Sequence, residues 1–177
     1  MAGQYLAFID KMKVASDPGP GRWNELTQML EHFGVRLPAE VMTGVRLVAA
    51  LAVLGLGWLA SRRFGPAARA VLLLMLCVSY TLVFNARTEE GSYMTLAAFA
   101  GLLAGLAVGR GHRRGAAAFI GLALALGTQG YGNWIYRPTD IWLKPLLALG
   151  FIAFLAARII AGDADALLAA PRQTPRR

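Results

Sequence analysis

Five apolar stretches, each long enough to cross a membrane, occupy most of this chain of 177 residues. A helix crosses the hydrocarbon core with about 20 mainly apolar residues, within a range of roughly 17–25. Only 16% of the residues are charged, whereas a soluble domain carries roughly a quarter. The sequence therefore predicts an all-α fold, a polytopic membrane bundle of about five transmembrane helices. The stretches are 41–60, 66–84, 91–109, 115–136 and 141–160.

The positive charge lies between these stretches or near their ends. The formal net charge is +8, which in a soluble protein would suggest nucleic-acid binding. Here arginines fill the short gaps 61–65 and 110–114 and the C-terminal tail, while the other gaps are nearly neutral. Basic loops of membrane proteins face the cytoplasm. We therefore expect no nucleic-acid partner, a multi-pass membrane location, an N-terminus outside and a cytoplasmic C-terminus.

The chain divides into three parts: 1–40 as an extracytoplasmic amphipathic segment, 41–160 as the five-helix bundle and 161–177 as a basic cytoplasmic tail. Within 1–40, two apolar stripes have helical spacing, which predicts amphipathic helices on the membrane surface. The second stripe ends at Gly34, and Pro38 marks the start of the first membrane helix. The stripes are Tyr5, Phe8, Ile9 and Met12, then Trp23, Leu26, Leu30 and Phe33.

Export of residues 1–40 needs an explanation, because Met1 is not followed by a basic region and an apolar core typical of a signal peptide. Residues 1–40 also carry four basic side chains. The simplest explanation is an earlier membrane span that delivers this segment outside. We therefore expect the chain to be the C-terminal part of a longer protein.

Residues 82–93, LVFNARTEEGSY, place polar side chains between two membrane stretches. This segment resembles the loop FNPRTE…SY in the C-terminal half of GT-C glycosyltransferases of family 87. That group includes the polyprenol-phosphate-mannose-dependent α-mannosyltransferases of bacterial envelopes. Residues 8–20 and 142–147 also resemble segments of the family, so the similarity covers nearly the whole chain.

The resemblance implies transfer of a hexose, such as mannose, from a polyprenyl-phosphate sugar to an envelope glycolipid or polysaccharide, at the inner membrane of a bacterium. Two departures qualify it. Ala86 stands where the family loop has proline. The first large outer loop, in which GT-C enzymes carry their catalytic acid, has no counterpart here. The catalytic acid is therefore expected upstream of this chain, and a separately encoded N-terminal half is one partner that would supply it.

Candidate substrate-binding residues follow from the chemistry of a lipid-phosphate donor, which needs a cation near its phosphate. Arg87 is an always-charged, bidentate phosphate ligand. Glu89 and Glu90 are candidates to position a sugar hydroxyl or to hold Arg87. Tyr93 is a candidate to stack on a sugar ring, and Asn85 is a further candidate for substrate binding. Lys144 is a second candidate phosphate ligand. The alternatives are a solvated connector for 85–93 and a lysine that extends to the interface at 144.

No metal site or cofactor is expected, because His32 and His112 fall on opposite membrane faces and no metal-binding motif occurs. Two other functions remain open. A small non-enzymatic membrane subunit would stabilise a partner, and Arg87→Ala would then leave sugar transfer unchanged. A transporter is disfavoured, because ionisable residues away from the ends of the stretches are few.

Overall fold

A computed structural model describes residues 25–85 and 88–169. Eight α-helices and two 3-10 turns, at Glu90–Tyr93 and Thr128–Tyr131, make up the regular structure of these residues, and no strand occurs among them. The all-α prediction is therefore confirmed. The helices are α1 (Leu26–His32), α2 (Ala39–Arg63), α3 (Pro66–Phe84), α4 (Met94–Gly109), α5 (Arg113–Leu126), α6 (Asn133–Thr139), α7 (Leu143–Ala161) and α8 (Asp165–Leu168).

Four helical segments are long and apolar enough to cross a membrane: Ala39–Arg63, Pro66–Phe84, Gly91–Gly109 and Leu143–Ala161. They correspond to the first, second, third and fifth predicted stretches. Their boundaries have local causes: Pro38 immediately precedes α2, and Pro66 occupies the first turn of α3, where its missing N–H has no cost. The fold is that of a helical membrane protein.

The fourth predicted stretch, 115–136, is not one helix. The helix α5 ends at Leu126 after 14 residues, and a 3-10 turn and the short helix α6 follow. Three glycines at 127, 130 and 132 explain the break, because glycine disfavours a continuing helix. Gly132 has φ +89°, which other residues rarely adopt.

The centre of the bundle is the interface between α3 and α7, and α3 also contacts α2 and α4. Side chains spaced by three or four residues form a continuous buried stripe on each helix. Helices in a bilayer associate through this close packing, since lipid tails are as apolar as the side chains. The stripes are Leu72, Met75, Leu76, Ser79, Leu82 and Val83 on α3, and Ala148, Phe151, Leu155 and Ile159 on α7.

The bundle has two chemically different ends. We call the end that contains residues 61–65, 110–114 and 162–169 the basic end, and the end that contains 25–38 and 85–93, together with 127–142, the polar end. At the basic end, Nη1 of Arg63 donates hydrogen bonds to the carbonyls of Ile159 (3.1 Å) and Ile160 (2.6 Å). Arg63 thereby joins the end of α2 to the end of α7.

Both flanks of the bundle pack against it. Leu26 and Met29 of α1 belong to the same hydrophobic core. The helix ends at His32, and Gly34 (φ +80°) follows in the turn, close to the predicted end. Ala164, before α8, is also buried in this core. The first predicted amphipathic helix and residues 170–177 lie outside the described residues.

Candidate functional site

Buried polar side chains concentrate at the polar end. Among the described residues, six polar or charged side chains are buried, and only Ser79 lies in the middle of a membrane helix. Burial of such groups is costly unless they are paired, so they mark a structural or functional requirement. The other five are Glu25, Thr88, Thr128, Asp140 and Lys144.

The segment after α3 presents two of the predicted site residues to solvent. Asn85 caps the end of α3 and is exposed, and Glu89 is also exposed. Thr88 between them is buried, and its hydroxyl donates to the carbonyl of Asn85 at 3.4 Å. Arg87 lies outside the described residues. The roles proposed for Asn85, Arg87 and Glu89 in substrate binding remain predictions.

Tyr93, in contrast to the exposed Asn85 and Glu89, is completely buried. Its hydroxyl donates a hydrogen bond of 3.0 Å to the carbonyl of Leu82. This bond fastens the 3-10 turn Glu90–Tyr93 to the last turn of α3. The ring in this position has no exposed face on which a sugar would stack, and Tyr93 therefore supports the segment that carries Asn85 and Glu89.

Lys144 is also completely buried, at the second position of α7. The alternative to phosphate binding was a lysine that extends to the interface, and the buried side chain does not reach solvent in the structure. Lys144 also takes part in an interaction within the chain. Just before it, Nε1 of Trp142 donates to the carbonyl of Pro138 at 2.8 Å, and the Trp142 ring meets the Phe33 ring edge-on. These contacts join α1, α6 and α7 around the start of α7.

An ion pair between Glu25 and Arg46 connects the segment before α1 to the first membrane helix. Nη2 of Arg46 lies 3.2 Å from Oε2 of Glu25 and donates to the hydroxyl of Thr27 at 3.4 Å. The Tyr80 hydroxyl donates to the carbonyl of Arg46 at 3.2 Å. The ion pair between Glu25 and Arg46 was not predicted from the sequence. Arg46 lies about 10 Å inside α2 at 1.5 Å per residue, and a charge at that depth signals a nearby partner.

Burial raises the pKa of Glu25 to about 7. The nearby Arg46 lowers this pKa and Glu31 raises it, but loss of hydration is the largest effect. A carboxyl whose pKa is raised on folding stabilises the fold fully below its unfolded pKa. That contribution is lost as pH rises from about 4.5 to about 7. The polar end thus contains a carboxyl that titrates near neutral pH.

We expect Glu25→Gln to remove part of the pH dependence of stability. Glutamine resembles the protonated carboxyl, so the variant and the wild type should unfold at similar temperatures near pH 4.5. At pH 8 the variant should unfold a few degrees higher, since about 1 kcal/mol corresponds to roughly 2–4 °C in a chain of this size. Thermal unfolding in detergent between pH 4.5 and 8 measures this difference. Glu40→Gln, at an exposed glutamate, is the control. An equal change in unfolding temperature in both variants would contradict the assignment of this pH dependence to Glu25.

Among the described residues, no group of three or more His, Cys, Asp and Glu side chains is arranged to hold a metal ion. His32 lies at the polar end, beside Phe33, and His112 lies at the basic end. The candidate site at the polar end therefore consists of hydrogen-bonding and charged side chains. Such groups bind and orient polar ligands without a metal.

No protein-family model matches the chain, and neither a curated protein nor a solved structure matches it. The family is not established by these comparisons. The resemblance to GT-C glycosyltransferases of family 87 stays a prediction that rests on the residues of 82–93, 8–20 and 142–147. The function must therefore be argued from the polar end itself.

Proposed function

We propose that this chain is the C-terminal part of a GT-C-type glycosyltransferase of a bacterial inner membrane. Its polar end faces the outside and forms one side of the site for a polyprenyl-phosphate sugar. The observation that carries this proposal is that buried polar side chains concentrate at one end of a membrane bundle, the same end that exposes Asn85 and Glu89. The basic residues of the opposite end favour the cytoplasm for that end.

A lipid-linked sugar fits such an end in two respects. Its polyprenyl tail is apolar and lies along the membrane helices, while its phosphate and sugar remain at the interface. Arg87 contacts the phosphate, and Glu89 accepts a hydrogen bond from a sugar hydroxyl. Lys144 is completely buried and interacts within the chain, so it supports this end of the bundle from the start of α7. The catalytic acid is supplied by a segment upstream of this chain.

We expect Arg87→Ala to reduce sugar transfer about tenfold, since loss of one hydrogen bond to a charged group costs about 1.5–3 kcal/mol. Glu89→Gln should reduce transfer less, because the amide still reaches a hydroxyl. The assay uses membranes of the native bacterium, with each variant at the chromosomal locus. Radiolabelled polyprenyl-phosphate mannose is added, and label in glycolipid and polysaccharide is measured.

Two variants at the same end are matched controls for this assay. Arg137→Ala removes an exposed arginine, and Glu40→Gln neutralises an exposed glutamate; both should transfer sugar at the wild-type rate. Immunoblots verify equal protein amounts. Unchanged transfer in both Arg87→Ala and Glu89→Gln would show that 85–93 is only a connector, and the proposal would then fail.

A non-enzymatic membrane subunit is the second candidate, and the outer face of α2 favours it. This helix is the least buried of the four candidate spans. A partner helix would cover its exposed apolar face. In this case deletion of the chain, but not Arg87→Ala, would lower the amount of a partner enzyme in the membrane. The exposed side chains are Leu47, Val48, Leu51, Leu54 and Trp58.

A further inference from the structure

A cleft of about 850 Å³ opens at the basic end between α4, α5, α7 and α8. Its lining combines basic side chains, Arg110, His112 and Arg158, with the apolar surface of Ala107 and Phe154. The cleft lies where α4 and α7 end and α5 begins. That level of a membrane bundle meets the headgroup layer of the bilayer. The cleft is therefore at the depth of lipid phosphates and is separate from the polar end.

The charges of this cleft are only partly neutralised within the described residues. Nη1 of Arg158 pairs with Oδ2 of Asp163 at 2.8 Å. Nε of Arg158 is buried and has no hydrogen-bond partner in the described part of the chain. Oδ1 of Asp163 is also buried without a hydrogen-bond partner in the described residues, so the ion pair is held by one of the two carboxylate oxygens. The Arg158 side chain is about one-third exposed and lines the cleft.

Backbone carbonyls position the Arg110 side chain. Its guanidinium donates to the carbonyls of Leu167 (2.7 Å) and Ala169 (2.9 Å) and also to that of Ala166. Carbonyl oxygens orient the side chain but do not cancel its charge. The exposed Arg113 and Arg114 follow at the start of α5 and add positive charge beside the cleft. The result is a fixed positive field over an apolar wall.

We propose that this cleft binds the headgroup of an anionic phospholipid. The lipid phosphate lies between Arg110 and Arg158, and the first carbons of an acyl chain lie against Phe154 and Ala107. Basic pockets between membrane helices near the cytoplasmic surface bind anionic headgroups in this manner. A lipid satisfies both the charge and the apolar wall of the cleft, whereas free phosphate satisfies only the charge. The binding of this lipid does not depend on the function proposed for the polar end.

Native mass spectrometry of the full chain in neutral detergent tests this proposal. The protein is mixed with equal amounts of phosphatidylglycerol and phosphatidylcholine, and the bound lipids are counted as the collision energy is raised. We expect phosphatidylglycerol to be retained about tenfold more than phosphatidylcholine, because the choline ammonium cancels the phosphate charge of phosphatidylcholine, and one charge-assisted contact is worth about 1.5–3 kcal/mol. Equal retention of the two lipids would overturn the proposal. So would displacement of phosphatidylglycerol by millimolar inorganic phosphate, since the site would then recognise the free anion.

Three variants locate the site. Arg158→Gln should reduce the preference for phosphatidylglycerol about tenfold. Ala166→Trp keeps every charge and fills the cleft, so it should reduce the preference too, even if Arg158→Gln folds poorly. Arg62→Gln removes an arginine of the same end that lies over the Trp58 ring and outside the cleft. An effect of Arg62→Gln as large as that of Ala166→Trp would overturn the assignment to this cleft.

Discussion

Replacement of Lys144 by methionine is expected to destabilise the chain by about 3 kcal/mol. Methionine matches the length and the apolar part of the lysine side chain, so the change removes a charge and creates little empty space. Lys144 is completely buried and interacts within the chain. Removal of one member of a buried polar interaction leaves the other member without hydration and without a partner. The loss of that partner is the reason for the large effect.

Thermal unfolding in detergent, together with the protein amount in membranes, measures this loss. Arg137→Met is the matched control, because Arg137 is an exposed cation at the same end of the bundle. Its substitution should change stability by less than about 0.5 kcal/mol. If Lys144→Met were as stable as the wild type, the ammonium group would not hold the polar end together. Any role of Lys144 would then be confined to ligand binding.

The second large effect is expected for Leu76→Ala in α3, with a loss of about 2–3 kcal/mol. Leu76 is completely buried in the stripe of α3, where it borders a small cavity with Val53 and Gly57 of α2. Truncation of its side chain leaves a cavity in the central interface of the bundle. Within a membrane this loss is one of van der Waals contact, because transfer of leucine from protein to lipid costs almost nothing.

Leu74→Ala provides a control on the same helix. Leu74 is 54% exposed and lies two residues from Leu76, on the face of α3 that turns away from the core. The two substitutions delete the same atoms from the same helix, so a difference between them reports packing alone. Unfolding by sodium dodecyl sulfate, followed by circular dichroism, measures both. Equal losses of stability in Leu76→Ala and Leu74→Ala would contradict the packing of the Leu76 face of α3 into the bundle.

The membrane helices were largely predictable because their signal is local. The length of an apolar run, together with Pro38 and Pro66, determines where α2 and α3 begin. The predicted third stretch, 91–109, coincides with the candidate span Gly91–Gly109. The predicted stretch 115–136 was too long, since six of the ten residues after Leu126 are glycine, threonine, glutamine or asparagine. The three glycines among them disfavour a continuing helix.

The arrangement of the polar end was much less predictable, because it depends on contacts between residues distant in sequence. Glu25 and Arg46 are 21 residues apart and pair only in the folded bundle. The motif 82–93 predicts that Tyr93 is a surface aromatic. In the structure its hydroxyl donates a hydrogen bond to the backbone of α3. A motif identifies residue types at a loop. It does not distinguish the side chains that face solvent from those that support the loop.

The short helix α5 has a consequence for the surrounding bilayer. Fourteen residues rise only about 21 Å, whereas the hydrocarbon core is about 30 Å thick. The helix α5 is accordingly not among the four candidate spans. Where so short a helix is embedded in a bilayer, the lipids beside it tilt or compress, a hydrophobic mismatch that costs a fraction of a kcal/mol per Å. The same mismatch would favour thinner membranes for this protein.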